Sequence, residues 1–183
     1  MKRLSAFSAV AACAALALAV VAPAGAADAL PIGDCADPQA ATDLSKCDFS
    51  RQKLAGKKLL RGARLAGARM ESSDFRQADL RDADLFHAIF DDANLSNSQQ
   101  QRANLFGANL INAQAPGADL SNSTLRGTRL TGATLRHALF KGANLDSADF
   151  SNADLWDANF ERATNLDDSV RAALAEPFVG RKR

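Results

Sequence analysis

The side chains able to serve as nucleophile, base or metal ligand are few and scattered. His87 and His137 are the only histidines, and the three cysteines are Cys13, Cys35 and Cys47. Hydrolysis or group transfer needs a nucleophile, a base and an orienting group that converge in space. The chain has no Gly-x-Ser-x-Gly turn and no phosphate-cradling glycine loop. Asp91 and Asp92, with Glu71, carry enough charge to attract a divalent cation, but the spacing of a calcium loop is missing. The expectation is therefore no catalytic residue, no metal, no cofactor and no enzymatic activity.

The elements that hold these residues begin with a leader. Lys2 and Arg3 precede an apolar run from Leu4 to Val21, followed by Ala22-Pro23-Ala24-Gly25-Ala26-Ala27. A charged head, a greasy middle and a small-residue cleavage site make a secretory signal peptide, assigned to residues 1–26. If it stays uncleaved, the run is about long enough to anchor the chain in a membrane. Val10-Ala11-Ala12-Cys13 has a trace of a lipidation box, yet the apolar run continues well past Cys13, which argues against it. The full chain has 22 basic and 21 acidic residues; losing Lys2 and Arg3 leaves 20 against 21, a net charge of −1. Near-neutral charge gives no reason to expect nucleic acid as a partner. In an oxidising compartment the remaining pair, Cys35 and Cys47, is expected to form a structural disulfide worth roughly 3 kcal/mol. Two ligands alone make no zinc site.

The body of the chain is one unit five residues long. From Ala63 to Arg162 it runs through 20 consecutive fives without a slip. The first position is Ala in 16 of them and otherwise Ser or Thr, and the third is Leu, Met or Phe in 18. Looser copies begin at Thr42, with one extra residue between Leu54 and Leu65, so residues 42–162 hold 24 units. A period of five fits neither helix nor strand. A chain that turns after every unit can still point each third residue inward, with small first residues letting backbones approach. Each turn buries its apolar side only when another turn stacks on it, so the product is a solenoid.

Ala78-Asp79-Leu80, Ala103-Asn104-Leu105, Ala118-Asp119-Leu120 and Ala153-Asp154-Leu155 match the consensus Ala-Asp/Asn-Leu-x-x. On these units the chain resembles the pentapeptide-repeat family over about two-thirds of its length. The resemblance implies an all-β solenoid, a right-handed quadrilateral β-helix with four units per coil and therefore about six coils. It says little about activity, because members share one shape across many roles. The best-known role, protection of gyrase by an acidic dimeric rod that mimics duplex DNA, requires a cytoplasmic, anionic protein. An exported chain of net charge −1 is neither, so that role stands as the alternative should the leader be retained in the cytoplasm.

A coil of 20 residues should stack side chains 20 apart. Arg64/Asp84, Asp82/Arg102, Arg126/Asp146, Arg129/Asp149 and Lys141/Glu161 are opposite-charge pairs at that spacing, and His137 would stack on Asp157. Residues 27–41, pinned by Cys35–Cys47, are read as the N-terminal cap. The C-terminal cap is placed in 163–183, with a helix over 167–176 and a basic tail beyond Pro177, in which Phe178 serves either cap packing or, as the resemblance implies, dimerisation through the cap. Two inward positions break the pattern. Gln100 places an amide where Leu belongs, and Ala115 is about three heavy atoms short; either they are tolerated defects, with Gln100 bonding backbone groups inside, or residues 98–117 form a bend or soft point.

Outward apolar residues stand out on a face that should be polar. Phe86 and Phe106 share one repeat position 20 residues apart, and Ile111 falls on the adjoining face. They either form a partner patch or brace neighbouring coils. The sequence thus points to a non-enzymatic scaffold or protein-binding module, exported to the periplasm or beyond. Its partner would be an envelope protein or a second copy of itself.

Overall fold

The computed structural model describes residues 33–36, 38–56 and 60–175. The leader assigned to 1–26 and the tail with Phe178 lie outside these residues.

Every second-position residue from Asp43 onward in the described repeats pairs with the second-position residue of the next coil in a parallel bridge. Four ladders result, one per face. The first face runs Asp43, Arg64, Asp84, Asn104, Thr124, Asn144 and Thr164, seven rungs that mark six coil-to-coil steps. The second face runs from Asp48 to Asp149, the third from Lys53 to Asp154 and the fourth from Asp79 to Asn159. Pairs in the first coil are 21 residues apart and all later ones 20, so the extra residue falls between Lys53 and Arg64. No strand grows beyond a single bridge among the described residues, because each side of the coil ends in a corner before a second pair can form.

Backbone hydrogen bonding explains why five residues suffice. In a typical unit the Leu85 N–H donates to the Asn104 carbonyl of the next coil (2.8 Å), and the His87 N–H donates to the Phe106 carbonyl (3.0 Å). The Asn104 N–H returns to the Ala83 carbonyl (2.9 Å), while the Ala88 N–H closes the corner on Leu85 (3.0 Å). The fourth-position N–H alone has no backbone acceptor in this scheme. The second-position carboxylate or amide supplies one: Asp74 Oδ1 for Arg76, Asp84 Oδ1 for Phe86, Asn104 Oδ1 for Phe106 and Asp119 Oδ1 for Ser121. Asp and Asn recur at that position because a buried or half-buried orphan donor would otherwise cost 1–3 kcal/mol.

Each corner turns through its fifth residue, which has positive φ at every unit from Gly67 to Arg162. One positive φ at the third residue of a four-residue corner is the type II turn, which favours Gly and Asn. Gly117 (φ 67°), after Pro116, makes one such corner among many. The ladders pass through 98–117 in the same 20-residue register, with Asn94 paired to Gln114 and Gln99 to Asp119.

Inside, the first and third positions form a continuous core of Ala, Leu and Phe from Leu44 to Phe150. Phe75 meets Phe90 edge-on at 5.7 Å, and Phe140 stacks on Phe160 at 4.7 Å. At the N-terminal end Cys35 and Cys47 are disulfide-bonded, with Cα atoms 5.6 Å apart. The Gly33 N–H donates to the Asp43 carbonyl (2.9 Å), adding an edge to the first coil. At the other end helix α1, Asp168–Ala175, lies within the span read as helical and buries Val170 against the core. The inward residues of the last coil, including Leu155 and Phe160, are only half-buried.

Candidate functional site

The first face holds the most distinctive surface chemistry. Its fourth-position column runs Ala66, Phe86, Phe106, Arg126 and Asp146, one residue per coil. Phe86 and Phe106 stack nearly parallel, centroids 5.5 Å apart and planes at 10°. That spacing follows from the ladder, since stacked coils repeat at about 4.8 Å. The Arg126 guanidinium sits 5.7 Å above the Phe106 ring and is ion-paired with Asp146 at 2.8 Å. In the same coil, His87 meets Phe86 edge-on at 4.2 Å and lies 3.2 Å from the Gly107 carbonyl through Nδ1. The column is thus an intramolecular ladder, yet Phe86 keeps 41% of its surface exposed. Ile111 lies on the second face, half-buried, its N–H donating to Asp91 Oδ1 at 3.2 Å. Phe86 and Phe106 share one flat surface; Ile111 does not.

Of the charge pairs expected at 20-residue spacing, three close directly. Asp82 binds Arg102 at 2.7 Å, Arg126 binds Asp146, and Lys141 binds Glu161 at 3.3 Å. His137 lies 2.8 Å from Asp157, as the stacking rule requires. Arg64 departs from expectation: it turns down to Asp43 at 3.6 Å, because Asp84 already receives the Asn104 amide (2.9 Å) and the Phe86 N–H. Asp149 is likewise occupied by Thr131 and Ser151 rather than by a direct bond from Arg129. Second-position carboxylates serve their own corners first, a competition that spacing alone does not reveal.

The electrostatics follow from these contacts. Arg81 donates to both oxygens of the buried Asp79 (2.8 and 2.6 Å) and holds its carboxyl below the usual value. Asp91 goes the other way: burial, reinforced by Asp92 and Glu71, outweighs the Ile111 N–H and pushes its carboxyl up. Asn109 Nδ2 donates to the second Asp91 oxygen at 3.0 Å, so this acid acts as a corner acceptor rather than a cation ligand. No cluster of three or more His, Cys, Asp or Glu suited to a metal occurs among the described residues.

A shallow depression on the second face is lined by Asp48, Ser50, Arg51, Arg69, Glu71 and Ser72. Ser50 Oγ donates to Glu71 Oε2 at 2.8 Å, superficially a nucleophile beside a base. Burial pushes the Glu71 carboxyl up, but its own backbone N–H, Ser50 and Arg69 together hold it below the usual value. A carboxylate so held is a poor proton acceptor, and the pair is a tie between coils. His87 and His137 sit at opposite corners and different coils, each bonded to its own neighbour.

Gln100 and Ala115 are both buried. Gln100 Nε2 donates to Ser98 Oγ at 2.9 Å and not to backbone groups, while Gln100 Oε1 has no partner. The amide therefore turns to the Ser98 hydroxyl two residues back instead of meeting the expected backbone groups. Sequence reasoning missed the role of the fifth position: Gly107, Gly117, Gly132 and Gly142 each lie over a His or Asn side chain of the coil below. Asn97, Asn112 and Asn122, each followed by Gly 20 residues later, were the available signal.

Comparison with known proteins agrees with this architecture. Family models described as pentapeptide repeats match residues 59–98, 103–142 and 125–170, together more than half of the chain. Among solved structures, the plasmid-mediated fluoroquinolone resistance protein QnrB1 is 22% identical, with a TM-score of 0.54 and 76% of each chain covered. A pentapeptide repeat protein, Rfr23, from the cyanobacterium Cyanothece 51142 is 22% identical at TM-score 0.36, covering 67% of this chain and 85% of that one. A third, from the thylakoid lumen of Arabidopsis thaliana, is 25% identical at TM-score 0.37, covering 63% and 76%. The likeness to QnrB1 shows the shared fold, a right-handed β-helix. No curated protein sequence matches the chain.

Proposed function

The chain belongs to the pentapeptide-repeat family, and we propose that it works without catalysis, as an exported rigid module that binds another protein through its first face. The observation that carries this reading is the stacked pair Phe86–Phe106, held flat by the ladder with Phe86 still exposed to solvent. Rigid aromatic surface beside an arginine is what protein interfaces use for anchoring, because few rotamers are lost on docking. The leader and the paired cysteines support export, and the lack of a convergent nucleophile and base among the described residues supports a binding role.

A duplex-DNA mimic needs a surface of one sign. Here Arg and Asp alternate between coils and neutralise one another, as in Asp82–Arg102 and Arg126–Asp146, which favours the protein-binding reading. The test is photo-crosslinking in expressing cells. A photoreactive residue replacing Phe86 should give a discrete adduct, while one replacing Ser96 on the third face should not. No adduct at position 86, or equal adducts at both, would overturn the reading.

A further inference from the structure

The order of side chains along the first face selects its own partner. Reading up the solenoid, the fourth-position column is Ala66, Phe86, Phe106, Arg126, Asp146, and the second-position column is Arg64, Asp84, Asn104, Thr124, Asn144. We propose that this face docks on the same face of a second copy of the chain, with the two solenoids antiparallel and the two-fold passing between the Phe106 rings. The inference rests on reading this face as a binding surface, and names what it binds.

The argument is one of register. A two-fold lying between two facing surfaces, across the solenoid axis, keeps each column opposite itself and reverses its order. Centred on Phe106, it sets ring against ring. Phe86 then faces the partner's Arg126 and Asp84 lies diagonal to it, so the guanidinium is offered to an aromatic ring directly and to a carboxylate one column over. One coil further out, Arg64 faces the partner's Asn144 and stands diagonal to the partner's Asp146, one column over. Both contacts occur twice by symmetry, so four pairings of unlike or cation–aromatic character surround one apolar centre.

Neighbouring registers lack this match. Moving the two-fold half a coil toward Phe86 brings Arg126 beside the partner's Arg64 and Asp43 beside the partner's Asp146. Moving it a full coil sets Asp84 against itself. Half a coil the other way faces Phe86 and Asp84 with the partner's Asp146. Like charges opposed directly or across the diagonal cost stability while unlike ones set orientation, so the column order picks the Phe106 register from the four. Six coil steps make a face roughly 30 Å long. Such a face falls at the small end of specific interfaces, so the dimer is concentration-dependent. Ile111, around the corner on the second face, takes no part.

Sedimentation of the full chain, as isolated from expressing cells and over a range of concentrations, tests the proposal. The expected result is a reversible dimer that Phe106→Ser weakens at least about tenfold and Ile111→Ser leaves unchanged. Because Phe106→Ser also removes an internal stack, a charge exchange provides the second test. Arg64→Asp and Asp146→Arg should each weaken self-association, and mixing the two variants should restore a heterodimer. A chain that stays monomeric throughout, or a dimer indifferent to Phe106→Ser with no recovery in the mixture, would overturn it. A monomer that still crosslinks from position 86 would sink the self-pairing alone, whereas a monomer without crosslinks would remove the binding reading too.

Discussion

Gly117 lies over the amide of Asn97 in the coil below, and the position a Cβ would take on Gly117 is 2.5 Å from Asn97 Oδ1. The glycine satisfies two demands at once, a φ of 67° and room for its neighbour's side chain. Gly127 has the first demand without the second: its φ is 64°, yet nothing stands within 4 Å of its missing Cβ. Gly127→Ala should therefore cost about 1–2 kcal/mol, the left-handed penalty alone. Gly117→Ala should cost more, and Asn97→Ala in the same chain should recover the excess. Chemical denaturation of the four variants measures this, and additive effects of Asn97→Ala and Gly117→Ala would refute the steric part.

Replacing Gln100 should stabilise the protein. Its Oε1 is buried without a partner, and an unsatisfied buried acceptor costs about 1–3 kcal/mol. Leu occupies the corresponding positions 80 and 120 in the adjacent coils. Gln100→Leu is expected to raise the free energy of unfolding by an amount in that range, read from the shift in the denaturation midpoint. A fall in stability would mean that Gln100 makes a bond the core depends on.

These two cases mark the line between what the sequence reveals and what it conceals. The five-residue period, the small first position and the apolar third position are written directly in residues 63–162, because burial acts on one residue at a time. The 20-residue coil is also legible, through pairs such as Asp82 and Arg102. What stays hidden is competition for a shared group. Arg64 pairs with Asp43 instead of Asp84 because Asp84 is spent on Phe86 N–H and Asn104. Gln100 likewise turns its amide to the Ser98 hydroxyl, a side-chain partner that the five-residue pattern does not name. On the candidate surface, Phe86 and Phe106 were visible by their spacing, whereas the cover of Phe106 by Arg126 depends on the rotamer that Asp146 stabilises.

Acid should unfold the protein by titrating its corner carboxylates. Asp79 and Asp82 are held low chiefly by Arg81 and Arg102, and Asp74 by Arg76. A carboxyl whose folded pKa lies below its unfolded value adds stability above the unfolded value, near 3.8, and loses it as pH falls through the folded one. Asp91, pushed up, has the opposite sign: the stability it adds is whole below its unfolded value and is lost as pH rises through its folded pKa. With the lowered group outnumbering the raised one, stability should be flat near neutrality and fall below about pH 4. Asp79→Asn should blunt that fall, whereas Asp91→Asn should leave it in place. Thermal melts across pH decide the matter, and an acid profile unchanged by Asp79→Asn would contradict the assignment.

Breaking the N-terminal bridge should loosen the first coil selectively. Cys47 occupies an inward first position and Cys35 lies in the cap, 12 residues away. Cys35→Ser with Cys47→Ser is expected to cost about 2–4 kcal/mol. Hydrogen exchange should rise at Leu44 and Phe49 before it rises at Leu105 and Leu110. Uniform acceleration along the solenoid would contradict a local role.

The most direct test of the exported-module account is the intact mass of the protein, with thiol counting, after fractionation of expressing cells. The account predicts a chain beginning near Ala27, found in the exported fraction, with Cys35 and Cys47 bonded and no free thiol. A full-length chain in the cytoplasm with both thiols free would contradict it and return the DNA-mimicking alternative to first place.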